Sequence, residues 1–465
     1  MSEQNEYDFI VVGAGITGLV AATVAAEGGA RVALLEKTAA IGGSSVMSGG
    51  WFAFTETDEQ RAMGETDSRQ LFFDDLWTIG EGLNDRRLLD RYLDRQSATY
   101  GWLKHHGVTF SEVDISSGQS ARRSHLSDIT GLLASLHADF AATGQTTRFE
   151  TEVERLITRD GRVIGVTAVR NGASEDLCAR DGVLLATGGF TRSQQMLKTF
   201  APAQLKAIPF GGRGNTGDGL RMAWKLGAGL ADMSFVSGTY GSHPETATRH
   251  ELLTAYYMGA VIVNQEGERF IDESLSYKTL GRAVLDQTDG LGYQIFDSSV
   301  RAMSHPGVPL KDMEMLEEVG HLHQADTLGE LAEKIGVEAD VLTATIGRYN
   351  RAVDGKVGDD VGRESLCNGI GAKRRIEAAP FYAYPAKSLL TTTYCGVTIT
   401  PDGEVVDVDG DVIEGLYAAG EVTGGFHGAA YMTGTSLGKG AVFGHLIAEN
   451  MLAGQNRTEE NVNHG

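Results

Sequence analysis

An α/β fold with a parallel strand-helix-strand unit at its head follows from three observations, and a change to short strands and helices over about 238–349 adds a smaller α+β unit. The apolar run Phe9 to Val12 drops directly into Gly13, Gly15 and Gly18 at GxGxxG spacing. The small, apolar stretch Ile16 to Ala26 then reads as a buried helix. A second strand, Arg31 to Leu35, ends at Glu36, about twenty residues past the glycines, where a carboxylate accepts hydrogen bonds from an adenosine ribose.

Each element has a physical reason. Gly13 permits the tight turn, Gly15 leaves room for phosphates, and Gly18 lets the helix pack closely on the strand. Ala14 and Thr17 line the same turn, and Lys37 follows the ribose acid. The positive N-terminal end of the helix then faces an anion. The unit is a Rossmann-like dinucleotide site.

Composition sets bounds. The chain has 465 residues, 42% of them hydrophobic, enough for a large core and too many for one ordinary domain. Sixty-one glycines against eight prolines, spread between apolar segments, read as turns around an extended ligand and not as disorder. Forty basic and sixty-two acidic residues leave a net charge of −22, which argues against nucleic acid or an anionic membrane as partner. Cys178, Cys367 and Cys395 lie far apart without metal or disulfide spacing, so no metal site and a reducing, cytoplasmic compartment are expected. The polar start MSEQNEYDF enters the first strand at once, and neither a signal segment, a leading electron-donor domain nor membrane insertion is expected.

The segment IGGSSVMSGGWFAF places Gly43, Ser44, Ser45, Ser48, Gly49 and Gly50 just downstream. Further on come LLATGGF (184–190), NTGDGLRMAWKLGA (215–228), VNQEGERFIDES (263–274) and GLYAAGEVTGGFHGAAYMTGTSLGKGAVFG (415–444). On these motifs the chain resembles the flavoprotein family of fumarate reductases, succinate dehydrogenases and 3-ketosteroid dehydrogenases. The resemblance implies an FAD-binding domain with an inserted cap that closes over substrate and excludes water. It also implies a small-molecule substrate and an external electron donor or acceptor. The domains read as residues 1–237 for the first part of the FAD domain, 238–349 for the cap and 350–465 for the second FAD part. Ala186, Thr187 and Gly188 are implied at the adenosine and pyrophosphate side, with Val153 completing the lining there. Asp218 and Gly219 are implied near the flavin, Gly420 and Glu421 at the ribityl or ribose region, and Ser436 and Leu437 as backbone donors to the flavin pyrimidine. Covalent attachment in succinate dehydrogenase relatives needs a histidine where this chain has Gly43, so the FAD is expected to be non-covalent.

Between these motifs, Thr55 to His106 reads as helical cover, ARRSHLSD (121–128) as a solvated turn, and Ile129 to Ala142 as a helix. Glu150 to Val169 reads as a hairpin turning at Asp160 and Gly161, and Gly182 to Thr187 as a buried strand. A second literal GxGxxG at Gly212, Gly214 and Gly217 follows Pro209 instead of a strand and leads to no second strand with an acid, so one dinucleotide site is expected. The 348–375 stretch reads as polar linker, Asp407, Asp409 and Asp411 as a turn, and the chain from Gly454 as a polar tail.

Flavin enzymes leave to the protein the tasks of moving a proton and polarising the substrate. By resemblance, the proton-donating arginine of fumarate reductases falls on Tyr277, their relay on Leu253 and Tyr256, their dicarboxylate-gripping histidine within 391–393, and a further arginine on Tyr431. A dicarboxylate needs cationic clamps, and only His243 still matches. The ketosteroid dehydrogenases are nearer at these positions: Tyr431 would polarise a ketone, Tyr277 would handle a proton, and Tyr394 adds a phenol, although the glycine that helps bind the ketone oxygen falls on Thr435. Three readings follow: dehydrogenation, or the reverse reduction, beside a ketone in a cyclic or steroid-like substrate; a fumarate- or urocanate-like reductase of an unsaturated acid; and a flavin-binding redox subunit without chemistry of its own.

Overall fold

The structure is a computed structural model that describes residues 5–463 apart from 117, 237, 247–250, 309, 368 and 370, with the backbone alone from 455 onward. It divides into two compact units: Met1–Ala201, Phe210–Val236 and Thr391–Gly465 form the first, and Pro202–Pro209 with Ser237–Leu390 the second. No helix among the described residues is long and apolar enough to cross a membrane.

In the first unit β1 (Glu6–Val12) pairs in parallel with β2 (Val32–Leu35), Phe9 opposite Val32 and Val12 opposite Leu35. On its other side it pairs in parallel with Ala173–Leu185, and Val412–Ala418 extends that order. The strands carry runs such as FIVV and VALL without alternation because both sheet faces are covered. Helix α1 (Ile16–Glu27) is buried from Ile16 through Ala26. One neighbour is the helix Ile129–Ala142, to whose Leu136 carbonyl the Thr23 hydroxyl donates at 3.2 Å. Another is the helix Thr435–Asn463, whose backbone comes so close that a Cβ on Gly444 would lie 2.6 Å from the Thr17 carbonyl oxygen. Asp160 (φ 51°) and Gly161 (φ 83°) turn the hairpin of Thr151–Arg159 and Arg162–Arg170. Both residues take the positive φ that a two-residue connection of this hand requires.

Three local expectations are corrected. The 121–128 stretch is no solvated turn: Ser124–Ser127 is a strand between Trp51–Ala53 and Phe110–Asp114, and Arg123 and His125 are 0% exposed. Asp67 and Asp75, distant in sequence, bring their carboxylates to Arg123, while Phe54, Tyr100 and Phe110 surround His125 edge-on. In 348–375 the helix Ala339–Val353 continues past residue 348, and Arg363 is fully buried, donating to the Tyr256 and Ala260 carbonyls at 2.6 and 2.9 Å. Past Gly454 the backbone stays helical to Asn463. The aspartate turn is as read: Asp407 Oδ1 accepts the N–H groups of Asp409 and Asp411 at 2.9 and 3.0 Å between the strands Glu404–Val406 and Val412–Ala418.

The second unit is built on a mixed sheet centred on Phe381–Leu390, which pairs with Leu291–Asp297, Thr239–Ser242, His323–Ala325 and, in parallel, Ile208–Pro209. The strand Val261–Val263 shows the period of two: Val261 and Val263 join one apolar cluster with Leu331, Leu342 and Ile346, while Ile262 joins the other with Tyr256, Leu280 and Phe296. Leu328–Ile335 and Ala339–Val353 supply helical cover for the first cluster, and Tyr277–Leu285 for the second.

Candidate functional site: a dinucleotide track ending in an aromatic group

At the N-terminal turn, Gly13 has φ 106° and donates to the Leu35 carbonyl at 2.7 Å. A Cβ there would meet the Ala186 carbonyl oxygen at 2.4 Å, and one on Gly18 would meet the Gly13 carbonyl oxygen at 1.8 Å. Gly15, by contrast, has only Ser45 Oγ at 3.4 Å and Gly42 O at 3.7 Å near its absent Cβ, so the protein leaves that space open. Gly15 caps α1 without a side-chain bond, and no acidic residue stands in the first turn. The helix end is therefore suited to an anion. Ser45 Oγ accepts the Ile16 N–H at 3.1 Å.

Glu36, 7% exposed, is fixed by the Ala14 N–H on Oε2 at 2.9 Å and by the Thr38 N–H and hydroxyl on Oε1 at 2.8 and 2.7 Å. A carboxylate has about four lone-pair sites, so this one retains capacity for a ribose. Its carbonyl accepts the Thr151 N–H at 3.0 Å, at the head of the strand that carries buried Val153. Lys37 pairs with Asp218, the first residue of the helix Asp218–Lys225, and donates to Thr216 Oγ1 at 2.6 Å. Burial pushes the Asp218 carboxyl up, but Lys37, Thr216 and Arg221 outweigh it and hold the group below the ordinary carboxylate range.

Along the track, Ser44 Oγ accepts from the Gly212 N–H at 3.0 Å and from Asn215 Nδ2 at 3.1 Å. Asn215 Nδ2 also reaches Glu421 Oε2 at 2.8 Å, and the Thr393 N–H donates to Glu421 Oε1 at 2.9 Å. The second GxGxxG thus serves as a loop laid on Gly43 and Ser44, where a Cβ on Gly212 would sit 2.4 Å from the Gly43 carbonyl carbon. Gly188 and Gly189 close on the same group: their Cβ atoms would lie 2.9 Å from Asn215 Nδ2 and 2.5 Å from Glu421 Oε1. Gly420 abuts Thr17 Oγ1, with 2.4 Å to a built Cβ. The Gly50 N–H donates to Ser48 Oγ at 3.2 Å, while Gly43 and Gly49 are exposed. Thr187 Oγ1 is buried without a hydrogen-bond partner. An orphaned hydroxyl among glycines and a helix end lacking a carboxylate fit a bound pyrophosphate. The residues present therefore suit FAD.

The far end of the track is aromatic. Tyr394, held at φ 56°, stacks on Tyr431 with centroids 4.6 Å apart, and His427 stands edge-on to both at 5.2 and 5.6 Å. Tyr431 Oη accepts the Gly434 N–H at 2.9 Å, just before the helix whose first turn carries Ser436 and Leu437. N–H groups of a first turn lack partners within their helix, which suits them to ligand carbonyls. His427, 3% exposed, is a site residue that the sequence reading passed over, although it stands inside the GGFHGA stretch that carried the resemblance.

The other two candidates belong to the second unit. Tyr277 opens a helix capped by Ser276, whose Oγ accepts the Thr279 N–H at 3.3 Å, and packs on the cluster of Tyr240, Tyr256 and Leu280. His243 stacks on His321, centroids 3.6 Å apart, and accepts the Glu245 N–H at 3.2 Å. Burial, together with the neighbouring His321, lowers the His243 pKa to about 4, so the ring is neutral at pH 7. Leu253 and Tyr256 are 0% exposed in the apolar core of that unit.

Residues 8–437 match the family described as FAD binding domain. The NADH:fumarate oxidoreductase of Klebsiella pneumoniae (strain 342) is 30% identical over 448 residues, 95% of this chain and 47% of that protein. The chain thus spans about half the length of that relative. A flavocytochrome c3 fumarate reductase in its open conformation is similar with a TM-score of 0.83 at 27% identity, covering 97% of this chain and 78% of that one. The 3-ketosteroid-delta4-(5alpha)-dehydrogenase from Rhodococcus jostii RHA1 is similar with a TM-score of 0.76 at 25% identity, covering 97% and 98%. The match over nearly the whole chain agrees with the glycine track built above, and the chain belongs to the FAD binding domain family as an FAD-dependent oxidoreductase related to fumarate reductases and 3-ketosteroid dehydrogenases.

Proposed function

We propose that the chain adds or removes hydrogen across a carbon-carbon bond next to a ketone, in a cyclic or steroid-like substrate. The observation that carries this reading is the stacked Tyr394 and Tyr431 pair with His427 edge-on. Phenols suit a neutral carbonyl, whereas a dicarboxylate calls for arginine forks. Two further observations support it: the relay positions Leu253 and Tyr256 are buried in apolar core, and His243 is neutral.

Bound FAD, held without a covalent link, supplies the hydride acceptor or donor at this site. In the dehydrogenation direction a proton leaves the carbon next to the carbonyl, a hydride leaves the following carbon, and a C=C bond forms between them. Tyr431 donates its O–H to the ketone oxygen; the Gly434 N–H accepted by its own oxygen polarises the hydroxyl toward donation. Tyr394 holds the Tyr431 ring by stacking, and Ser436 and Leu437, in the first turn of the helix Thr435–Asn463, would offer their backbone N–H groups to the flavin pyrimidine. Tyr277, on the second unit, is the residue that the family resemblance assigns to the carbon-bound proton, and residues 238–349 are the stretch that it assigns to the substrate cap. The partner outside the chain is an electron carrier, and Cys178, Cys367 and Cys395, none of them in a disulfide, support a reducing, cytoplasmic setting.

The test is flavin bleaching and dye-coupled turnover of the purified holoprotein with 3-ketosteroids and cyclic ketones, beside fumarate, acrylate and urocanate. Turnover of a ketone with no response to the acids supports the reading. The opposite result replaces it with reduction of unsaturated acids.

A further inference from the structure

One buried side chain holds the aromatic group from behind, and only half of its amide is paired. Residues 80–85, which join the helices Arg69–Ile79 and Arg86–His105, are wound tightly, with Glu81 at φ 55° and Gly82 at φ 69°. They grip the 425–429 loop at three points around His427. The Asp85 N–H donates to the Gly425 carbonyl at 2.6 Å, Asn84 Nδ2 donates to the Phe426 carbonyl at 2.9 Å, and the Gly80 carbonyl accepts the Ala429 N–H at 3.1 Å. The two backbones touch there: a Cβ on Gly428 would lie 2.6 Å from the Gly80 carbonyl oxygen and 3.0 Å from the Asn84 backbone nitrogen. Of the three bonds, only the one from Asn84 comes from a side chain.

Asn84 is 7% exposed, and its Oδ1 is buried without a hydrogen-bond partner, against Gly80, whose built Cβ would lie 2.1 Å from it. A buried acceptor left unpaired costs stability. A leucine at this position would remove that cost and leave the Phe426 carbonyl unpaired instead, so the net contribution of the amide to stability is small. What it supplies is direction. Its bond ends on the peptide that joins Phe426 to His427, and His427 stands edge-on to Tyr394 and Tyr431 with centroids 5.2 and 5.6 Å away.

We propose that Asn84 is a positioning residue: its Nδ2 bond to the Phe426 carbonyl fixes the peptide between Phe426 and His427, and through it the edge of the His427 ring against Tyr394 and Tyr431. The proposal rests on reading Tyr394, Tyr431 and His427 as the group that meets substrate.

The test uses the FAD-loaded full chain, with isotope labels on the carbonyl of phenylalanine and the amide nitrogen of histidine. Phe426 followed by His427 is the only Phe-His pair in the sequence, so a carbonyl-amide correlation yields one signal, from the peptide in question. Asn84→Leu should displace that signal and lower kcat on a ketone substrate roughly tenfold or more, with KM nearly unchanged. Asn84→Asp keeps the shape and makes the donor titratable: a protonated carboxyl donates to the Phe426 carbonyl, whereas a carboxylate repels it. Its signal and its kcat should approach the wild type while the carboxyl is protonated and depart from it on ionisation, which burial moves above the ordinary value of about 4. The other titratable groups around this loop are Asp85, Asp232 on the Gly425 N–H, Tyr92 and Lys439 beside the Phe426 ring, and His427 itself. All are present in the wild type, which is therefore the reference at each pH.

An unmoved signal in Asn84→Leu overturns the proposal, even with stability lost, because that is what a merely structural amide would give. Normal ketone turnover by Asn84→Leu overturns it as well, and so does an Asn84→Asp signal equal to the wild type throughout the titration. If Asn84→Leu does not fold, Asn84→Asp decides, since its side chain has the shape of the original. A displaced signal in Asn84→Leu, with no ketone turnover by the wild type, supports the clamp and removes the ketone reading alone.

Discussion

The two ends of the first unit are built on opposite principles. At the glycine turn the site is made by leaving side chains out: Gly13 and Gly18 let backbone meet backbone, and Gly15 leaves space that no protein atom fills. At the aromatic end it is made by bringing side chains in, with Tyr394, His427 and Tyr431 joined by stacking and edge contacts. The first end suits the part of a dinucleotide that does not react, which needs only N–H groups and a helix terminus. The second, on the proposed function, meets a substrate, which calls for particular side chains at particular angles.

The contrast is broken most completely at Gly15. Gly15→Leu should yield a folded protein with no FAD, because the nearest protein atom to the new Cβ is 3.4 Å away while the phosphate space is taken. Gly18→Leu should instead fail to fold, since its Cβ would lie 1.8 Å from a carbonyl oxygen. Circular dichroism and flavin absorbance separate the two, and a yellow Gly15→Leu protein would mean that the phosphate site is elsewhere. Tyr431→Phe at the aromatic end, and Tyr277→Phe in the second unit, should each keep full FAD and lose about 10² to 10⁴-fold in kcat, measured on whichever ketone bleaches the flavin. Near-normal rates in both would end the tyrosine mechanism.

A smaller effect concerns the buried Arg123, which pairs with Asp67 and Asp75. Arg123→Met leaves Asp67 and Asp75 facing each other without their buried cation, and should cost about 3–5 kcal/mol in denaturant unfolding. Burial opposes ionisation of Asp67, but Arg123 and its other donors hold its pKa below 3.8. A carboxyl lowered on folding stabilises the fold above its unfolded pKa and loses that contribution as pH falls through its folded value. The wild type should therefore lose this part of its stability below about pH 3.8, and Arg123→Met should show a shallower acid slope. An unchanged slope would show that the pair does not control acid stability. Last, acid precipitation should release all FAD intact, because Gly43 offers no side chain for attachment; flavin in the pellet would reverse that expectation.

Legibility in the sequence followed this same contrast. The unit β1, α1 and β2, the Ile129–Ala142 helix and the Asp160–Gly161 hairpin were legible because spacing over a few residues decides them. The 121–128 stretch misled because charge was read as solvent exposure, whereas Arg123 is paid back by Asp67 and Asp75 more than forty residues away. Arg363 misled in the same way, since nothing near it in sequence announces the Tyr256 and Ala260 carbonyls that it reaches. His427 was passed over because a lone histidine in a glycine-rich loop acquires meaning only when two tyrosines arrive beside it.

By itself, then, the sequence determined that this chain binds a dinucleotide along a glycine turn, and which carboxylate stands beside it, because those properties reside in backbone geometry set by neighbouring residues. Only the tertiary structure decided that Asp218 pairs with Lys37 and that Glu421 is shared between Asn215 and Thr393. Those contacts join residues 28 to 206 positions apart, and whether such groups meet, lose water and change their charge is settled by packing, which no local pattern encodes.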